Sequence, residues 1–523
     1  MEMRGREHLL TVLVVAIAVF IALDGGLFFF RVDLTEDHIF TLSEASRNLY
    51  RSLSEPAAVT YYVSQRLRKI SPIPQEVEDL LHEYAVYSHG KITVRSVDPA
   101  KAGVAREMKA IGIYPEQMEI IDKSERTTAQ IYSGIDIQYL DREAVIPFVG
   151  GTNNLEYRVT AAMMKLIQNR NWTVGILVGD SQRTLQNDYS LLAGSIGRTY
   201  TPMPIARGAP IPRSLDALVV LGGRDLSKVD LAPIDRYVME GGPVFFCIPG
   251  VAVDTRGSLQ ATPLIGLPVL DLVASYGVGI ANTLVLDKSV KDFRTLRMVG
   301  GQYAWQDLGP YPHWLRVRRE DVSRTSPITK NFEGLDLLWA SPLVKLDLPG
   351  IHYDSLAKST RAAWIMKGSF QTNPYDVSRY DSSGDQTPGQ YDLVYALRGR
   401  FPSFEGGAAS GAPAVLSPPT RIIVVGDDDF LSDLIHYSDS AYNLGFAGNA
   451  IDWLAGNDAL LTIKTKGQWD PRLDRIEDPN AKRAAFRFAE VVNIFLVPLG
   501  VVLFGLRRSL VRRRKQLAAE RGT

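Results

Sequence analysis

The chain of 523 residues is long enough for several domains, and an apolar share of 46% allows a large buried core. Its 58 basic and 58 acidic residues balance, which argues against a nucleic-acid-binding protein, since such proteins gather a basic excess on one face. The single cysteine, Cys247, excludes an intrachain disulfide, and one cysteine neither requires nor excludes an oxidising compartment.

An apolar segment at residues 9–30 opens the chain, interrupted only by Thr11, Asp24 and two glycines. At about 1.5 Å per residue a helix of this length spans roughly 33 Å, enough to cross a bilayer core. A cleaved secretory signal is the alternative, because Arg4 and Arg6 precede the apolar residues. The segment lacks a good small-residue cleavage site and stays apolar beyond Asp24, so an uncleaved transmembrane anchor is favoured.

Residues 486–506 form a second candidate transmembrane helix, weakened by Pro498 in its middle. An arginine-rich tail, residues 507–523, follows it, and positive flanks mark the cytoplasmic side of a membrane. Because arginines also precede the first span, both termini are predicted to be cytoplasmic. The chain is then a two-pass protein of the cell inner (cytoplasmic) membrane, with its large middle region periplasmic or otherwise extracytoplasmic.

Three polar residues, Asp24, Glu490 and Asn493, fall near the outer ends of the two predicted spans. One interpretation is interfacial depth, where polar groups reach water. The other is contact with the helices of a membrane partner, since intramembrane polar groups usually find a partner. We take these three residues as candidate partner-binding residues.

The region after the anchor, residues 31–170, is predicted to be a thioredoxin-like α/β domain with the element order βαβαββα. It opens with "TLSE", in which Thr41 and Glu44 fit a helix capping box. A later helix is predicted at "AGVAREMKAIG", ending at Gly112. The chain has no CxxC motif, so thioredoxin redox chemistry is not expected, and a binding or spacer role is predicted.

Residues 171–465 are predicted to be a second α/β domain with a flavodoxin/amidotransferase-like parallel sheet. Apolar strands such as "TVGILVGD", "LDALVVLGG", "PVFFCIPG" and "RIIVVGDDDF" alternate with helices, which is typical of a parallel sheet covered on both faces. Residues 251–420 read as an insertion of mainly β character. Residues 466–485 would connect this domain to the second transmembrane helix.

Several stretches occur together in order along nearly the whole chain: "DLTEDHIFTLS", "VRSVDP", "YSGIDIQY", "LEYRVTAAMMKL", "IDRYVMEGG" and "NAIDWLAGNDALLTIKTK". This ordered set resembles the gliding-motility-associated ABC transporter auxiliary proteins (GldG-like). The resemblance implies a membrane-anchored extracytoplasmic subunit that works with a separate ABC permease and ATPase. It implies neither gliding itself nor a particular substrate.

The motifs in the sequence favour a non-enzyme without a cofactor. "GGRDLSK", residues 222–228, lacks the glycine spacing of a P-loop, so any ATP chemistry must come from a partner. Cys247 follows an apolar strand, as the nucleophile of class I glutamine amidotransferases does, but Phe245 stands where that sharp turn needs glycine. None of the later histidines lies in an H-x-E pattern. Cys247 is therefore interpreted as a core residue rather than a nucleophile.

Two further features of the sequence, an acidic turn and a pair of aromatic stretches, each allow a functional and a structural interpretation. Asp427, Asp428 and Asp429 follow a buried strand, where ligands of open parallel sheets bind, and their carboxylates could hold Ca²⁺ or Mg²⁺. The alternative is a solvated turn in which Asp427 caps the next helix, and no metal is assigned. The insertion also contains the aromatic stretches "YAW" (residues 303–305) and "YPHWLRV" (311–317). If exposed, these aromatics would form a surface that stacks on sugars or peptides. If buried, they would be part of the hydrophobic core, and this second interpretation is favoured.

Together these observations predict a non-catalytic extracytoplasmic subunit that couples an ABC permease and ATPase to a substrate or structure of the cell envelope. The alternatives are an envelope enzyme that uses Cys247, and a transporter-independent scaffold that binds glycan or protein.

Overall fold

The computed structural model describes residues 42–122, 125–152, 154–299, 302–330, 332–375, 388–404 and 415–464. Both predicted transmembrane segments, with Asp24, Glu490 and Asn493, lie outside these residues. Within the described part of the chain, no helix is long and apolar enough to cross a membrane. The α/β class is confirmed, with both parallel and antiparallel strands. The domain boundaries near residues 170 and 465 stay predictions.

The first part of the chain forms a four-stranded sheet with helices and a separate hairpin. Strands β1 and β2 are parallel, whereas β5 runs antiparallel to β1 and β6 antiparallel to β5, so the order is β2-β1-β5-β6, as expected of a thioredoxin-like sheet. Among the described strands, β3 and β4 pair only with each other. The elements are α1 (Glu44–Arg51), β1 (Ala57–Val63), α2 (Gln65–Ile70), α3 (Ile73–Tyr87), β2 (Ile92–Val97), β3 (Glu116–Asp122), β4 (Glu125–Ile131), β5 (Ser133–Tyr139), β6 (Arg142–Ile146) and α4 (Leu155–Gln168).

Two local predictions in this part are wrong. Helix α1 is capped by Ser43, whose side chain accepts the amide of Ser46, so Glu44 is the first helical residue and not the third residue of a capping box on Thr41. The helix predicted between β2 and β5 is a single 3₁₀ turn, Glu107–Lys109. Gly103 has a left-handed backbone with φ of 75°, which interrupts a helix before it can propagate.

The second part of the chain forms a nine-stranded sheet and several small antiparallel sheets. Its helices are α5 (Leu185–Asp188), α6 (Ser190–Ile196), α7 (Lys228–Met239), α8 (Pro268–Ser275), α9 (Tyr442–Leu454) and α10 (Asp458–Lys464). Its strands are β7 (Thr173–Val178), β8 (Thr201–Ile205), β9 (Ala217–Leu221), β10 (Val244–Cys247), β11 (Val251–Val253), β12 (Ala261–Pro263), β13 (Val278–Ile280), β14 (Leu284–Leu286), β15 (Val290–Val299), β16 (Gln302–Val317), β17 (Leu335–Leu338), β18 (Leu343–Lys345), β19 (His352–Lys358), β20 (Trp364–Met366), β21 (Asp392–Gly399) and β22 (Thr420–Val425).

Five strands of the large sheet are parallel and lie in the order β8-β7-β9-β10-β22. Numbered along the chain this is 2-1-3-4-5, the order of flavodoxin-like sheets. Strands β9 and β10 are buried along their whole length, as the continuous apolar runs predict for a sheet covered on both faces.

The predicted β-rich insertion does not form a separate body. Strand β21 pairs antiparallel with β22, and β13, β18 and β19 extend the same sheet from there. The rest of the insertion includes a long hairpin of β15 and β16, with β17 added to its edge. The insertion therefore lengthens the parallel sheet and adds a smaller three-stranded sheet.

Helix α4 belongs to the hydrophobic cores of both parts. Leu155, Val159 and Met163 pack into the core of the four-stranded sheet. Tyr157 and Ala161, one turn apart, pack into the core of the nine-stranded sheet. Helical spacing separates the two sets onto different faces, so one helix is buried against both sheets.

A buried carboxylate, Asp452, fixes α4 to the end of the described chain. Tyr157 donates to it at 3.0 Å, and Tyr200 at 2.7 Å. Lys464, the last described residue, donates to the same carboxylate at 2.6 Å and lies 4.3 Å from the Tyr157 ring centroid. Helix α10, which ends at Lys464, also packs against α1 and α4. The first and last described helices therefore lie side by side.

We expect Asp452→Ala to lower the free energy of unfolding by about 2–4 kcal/mol, because two buried hydroxyls lose their acceptor and the partly buried ammonium of Lys464 loses its carboxylate. Urea unfolding of the full chain, followed by tryptophan fluorescence, measures this loss. Asp458→Ala is the matched control: its ion pair with Arg421 is exposed, so about 0–1 kcal/mol is expected. Equal losses in both variants would show that Asp452 does not act as a buried anchor.

Candidate functional site

The carboxyl ends of the parallel strands bring four sequence-distant segments together. Asp180 follows β7, Gly222 and Gly223 follow β9, Cys247 ends β10, and residues 427–429 follow β22. In open parallel sheets, ligands bind outside these strand ends where the strand order reverses, which here is between β7 and β9. The predicted ligand turn, residues 427–429, lies at this edge of the sheet.

The crevice between β7 and β9 is filled by the chain itself. Asp180 Oδ1 accepts the amides of Gly223 at 3.2 Å and Arg224 at 2.8 Å, which ties the two strand ends together. Gly222 has a φ of 66°, and a Cβ there would lie 3.0 Å from Asp180 Oδ1 and 3.1 Å from Asp428 Oδ2. A Cβ on Gly223 would lie 2.9 Å from Val269 of α8. Backbone and side chains thus occupy the position that a ligand takes in related sheets.

Asp427 is a buried structural carboxylate. Its Oδ1 accepts the amides of Asp429 at 2.7 Å and Phe430 at 3.1 Å, and its Oδ2 accepts the amide of Leu338 at 2.7 Å. The first two bonds hold the start of the following 3₁₀ turn, Asp429–Leu431, although its N-cap residue is Asp428 and not Asp427 as the alternative from sequence assumed. The side chain is 1% exposed, so the turn is not solvated as that alternative assumed. The third bond ties the turn to β17.

Asp428 and Asp429 share one guanidinium, that of Arg183. Its Nη1 lies 3.3 Å from Asp428 Oδ2 and its Nη2 lies 2.8 Å from Asp429 Oδ1, and all three side chains are buried or nearly so. Arg183 also donates to the Tyr189 hydroxyl at 3.0 Å. Sequence reasoning missed Arg183 because it precedes the aspartates by 245 residues.

The three aspartates offer oxygen atoms within 4.8 Å of one another, a spacing and donor type that suits a hard cation such as Ca²⁺ or Mg²⁺. Arg183 already supplies positive charge to two of them, and Asp427 already accepts three amide hydrogen bonds. The donor set fits a metal poorly, since a cation would have to displace a buried arginine. The cluster is better described as a buried ion-pair network.

Burial dominates the electrostatics of this network. It raises the pKa of Asp428 to about 7, although Arg183 acts in the opposite direction. Burial, reinforced by Asp429 and Asp428, also raises the pKa of Asp427 well above its ordinary value. The network therefore takes up protons more readily than exposed aspartates do.

Cys247 has none of the features of an activated nucleophile. It is the last residue of β10 and fully buried, and it is not among the described residues with a left-handed backbone. Burial, followed by the nearby Asp428 and Asp427, raises the pKa of its thiol well above the ordinary value. Because the thiolate is the nucleophilic form, this environment suppresses reactivity.

The aromatic residues of the insertion divide between core and surface. Tyr311 and Trp314 are buried, as favoured from sequence, and so is His313, whose pKa burial lowers to about 4. Trp305 is exposed instead, and its ring lies 6.2 Å from the ring of Tyr437, measured between centroids. No sequence pattern pointed to Tyr437, because the two aromatics come together only through the fold.

The described part of the chain thus defines an α/β protein whose parallel-sheet edge is closed by its own side chains. A family model described as an ABC-type uncharacterized transport system matches residues 171–463, more than half of the chain. A second model, a domain of unknown function, matches residues 36–138. The chain belongs to the family of auxiliary components of ABC-type transport systems. The resemblance drawn from sequence is confirmed at this level, and an accessory role in an ABC transport system follows from it.

A relative from Borreliella burgdorferi, described as an uncharacterized protein, is 24% identical over 499 residues, covering 93% of this chain and 94% of the relative. Among solved structures, a ThuA-like protein from Parabacteroides merdae aligns with 55% of this chain and 91% of its own, at 10% identity and a TM-score of 0.27. A score this low carries no structural argument.

The Cys247 thiol is expected to resist a soluble thiol reagent at about pH 8 in the native protein and to react once the chain is unfolded. Absorbance of the released chromophore measures both states, and the signal is unambiguous because the chain has one cysteine. Ser369→Cys, which adds a thiol at an exposed position, is the control and should react at once. Rapid stoichiometric reaction of the native wild type would restore the enzyme interpretation.

Stability is expected to fall as pH rises from about 4 to 7, because the folded protein then holds a proton on Asp428 that the unfolded chain has released. The ordinary pKa of 3.8 and the raised pKa of about 7 set this window. Asp428→Asn should make the fall in Tm across the window shallower. Asp427 contributes with the same sign, so some decline remains.

The control for this pH dependence is Asp225→Asn. Hydrogen bonds from Ser181 lower the pKa of Asp225, so its titration lies below 3.8 and outside the window. Its slope of Tm between pH 5 and 7 should equal that of the wild type. If Asp428→Asn also keeps the wild-type slope, the Asp428 proton does not contribute to stability.

Proposed function

We propose that the protein is a non-catalytic, membrane-anchored subunit of an ABC transport system that couples a separate permease and ATPase to a substrate or structure of the cell envelope. Membership of the auxiliary family is the observation that carries this proposal. Two transmembrane helices, residues 9–30 and 486–506, would hold the chain in the inner membrane, with both termini cytoplasmic and the described residues outside.

The packing of the described chain ends supports this arrangement. Helix α1 begins at Glu44, 14 residues after residue 30, and α10 ends at Lys464, before the predicted connector. Because α1 and α10 pack together and on α4, the two ends of the described chain lie close to each other. Movement of a permease that acts on these ends would then act on one packed group of helices.

The chemistry of the described residues supports a role without catalysis. Cys247 is buried with a raised thiol pKa, and the carboxylates at the sheet edge are held by Arg183 and by backbone amides. The sequence has no P-loop motif, so the energy would come from an ATPase partner. The transporter-independent scaffold remains the alternative function, and partner capture separates the two.

The test is co-purification of the intact protein from mild detergent, with identification of the bound chains. A permease and an ATPase are expected. Glu490 and Asn493 are three residues apart and so share a helical face, which in a membrane is better matched by polar groups of a partner than by lipid, by about 0.6–2 kcal/mol per hydrogen bond. Replacing both with leucine should reduce the yield of both partners.

The matched control replaces Asn493 alone, which should give an intermediate yield. An unchanged yield in the double variant would place the docking face elsewhere. Absence of any permease from the wild-type preparation would overturn the ABC-subunit proposal in favour of the scaffold. A C-terminal reporter active only outside the cytoplasm would overturn the two-pass topology.

A further inference from the structure

An open groove of about 650 Å³ lies between the β15–β16 hairpin and residues 436–439, which include the end of the 3₁₀ turn Asp433–Tyr437. Its volume is within the range of small-molecule and oligosaccharide sites. It is separate from the closed edge of the parallel sheet, because none of the residues that line it belongs to the Arg183 network.

Two aromatic side chains are exposed in this groove. Trp305 is 54% exposed and Tyr437 is 55% exposed, and their rings are tilted by 61° at a centroid distance of 6.2 Å. Large aromatic rings are normally buried, and two in contact that both face solvent leave apolar ring area open for stacking on a ligand. They come from segments 132 residues apart, so the fold and not local sequence pairs them.

Charged side chains of both signs surround the aromatic pair. Arg294 and Asp307 form an exposed ion pair at 3.6 Å. Arg316 is half exposed, and its Nε lies 3.5 Å from the buried carboxylate of Asp336. His436 lines the groove beside Tyr437. These planar groups present hydrogen-bond donors and acceptors next to an aromatic face.

The charges in the groove balance. Lys291, Arg294 and Arg316 are matched there by three lining carboxylates, those of Asp292, Asp307 and Asp439. A polyanion would meet the three lining carboxylates, and a cationic ligand would meet Arg294 and Arg316, since Lys291 is buried. A neutral ligand with many hydroxyls and an apolar face avoids both penalties. Sugar rings with equatorial hydroxyls have this chemistry.

The floor of the groove is rigid. Lys291 is buried, donates to Ser440 at 3.3 Å and lies 3.2 Å from Asp336. Ser440 donates to the same Asp336 carboxylate at 2.6 Å, and the Tyr442 hydroxyl donates to it as well. A network of this kind holds the wall of the groove in place before a ligand arrives, which lowers the entropy cost of binding.

We propose that this groove binds a neutral oligosaccharide, with Trp305 and Tyr437 stacking on a sugar face and Arg294, Asp307, Arg316 and His436 bonding its hydroxyls. The site deepens the proposed function, on which it rests, because it gives the extracytoplasmic part of an ABC subunit a glycan to hold in the cell envelope.

The test is isothermal titration of the full-length protein in detergent with three neutral probes: cellotetraose, chitotetraose and maltotetraose. Binding of at least one is expected, and Trp305→Ala and Tyr437→Ala should each weaken it by about tenfold. Tyr114→Ala is the matched control, since Tyr114 is 56% exposed in the first part of the chain, and it should bind as the wild type does. Circular dichroism checks that the surface variants fold.

Failure to bind any of the three probes at millimolar concentration would overturn the proposal, and so would binding that neither variant weakens. Preference for a sulfated heparin tetrasaccharide, lost in the same variants, would overturn the neutral-ligand assignment. Co-purification of permease and ATPase is measured on the same variants. Retained partners with no saccharide bound would reject the groove alone, whereas saccharide bound without partners would reject the ABC role alone.

Discussion

One buried carboxylate, Asp452, ties helix α4 to the last described helix, α10. It lies at zero exposure, where an ionised side chain is stable only with partners in good geometry. Those partners come from three places: Tyr157 on α4, Tyr200 just before β8, and Lys464 at the end of α10. Since α4 is buried against both sheets, this one site fixes the relation between the two cores and the end of the described chain.

The second constraint is the closed carboxyl edge of the parallel sheet. A 2-1-3-4-5 sheet normally leaves a crevice there, but Asp180 and Gly222 bring the ends of β7 and β9 into contact. Arg183 then pairs with Asp428 and Asp429, two of the three aspartates that follow β22. The position that most often carries function in this kind of sheet is used for stability. A ligand surface must therefore be sought in the insertion, where the β15–β16 hairpin carries an exposed aromatic.

The sequence predicted those features that depend on local pattern. Continuous apolar runs such as "ALVVL" in β9 predicted the parallel strands, and the apolar spacing of α4 predicted an amphipathic helix. Strand β8 was missed because Pro202 and Pro204 argue against a strand, although an edge strand tolerates proline. The β15–β16 hairpin was missed because its polar and aromatic residues give no clean alternation.

The candidate site was predictable only in part, for a related reason. Position after a strand placed Asp427–Asp429 at the sheet edge, yet their charge partner Arg183 belongs to a segment far earlier in the chain. Burial, which decides between a solvated turn and an ion-pair network, is a property of the packed structure. The same holds for Trp305, whose exposure and whose neighbour Tyr437 follow from the path of the hairpin.

Helix α9 gives these separate features a physical connection. At its start, Tyr442 and Asn443 bond to Asp336, the residue that also holds the basic side chains of the groove. Near its end, Asp452 anchors α4 and α10. A helix of 13 residues is about 20 Å long, so a single rigid element joins the groove wall to the packed helices at the chain ends. Mechanical coupling requires contiguous packing of this kind. The groove and the chain ends are coupled only if α9 has two states, and if a ligand in the groove and a partner at the chain ends each favour one of those states.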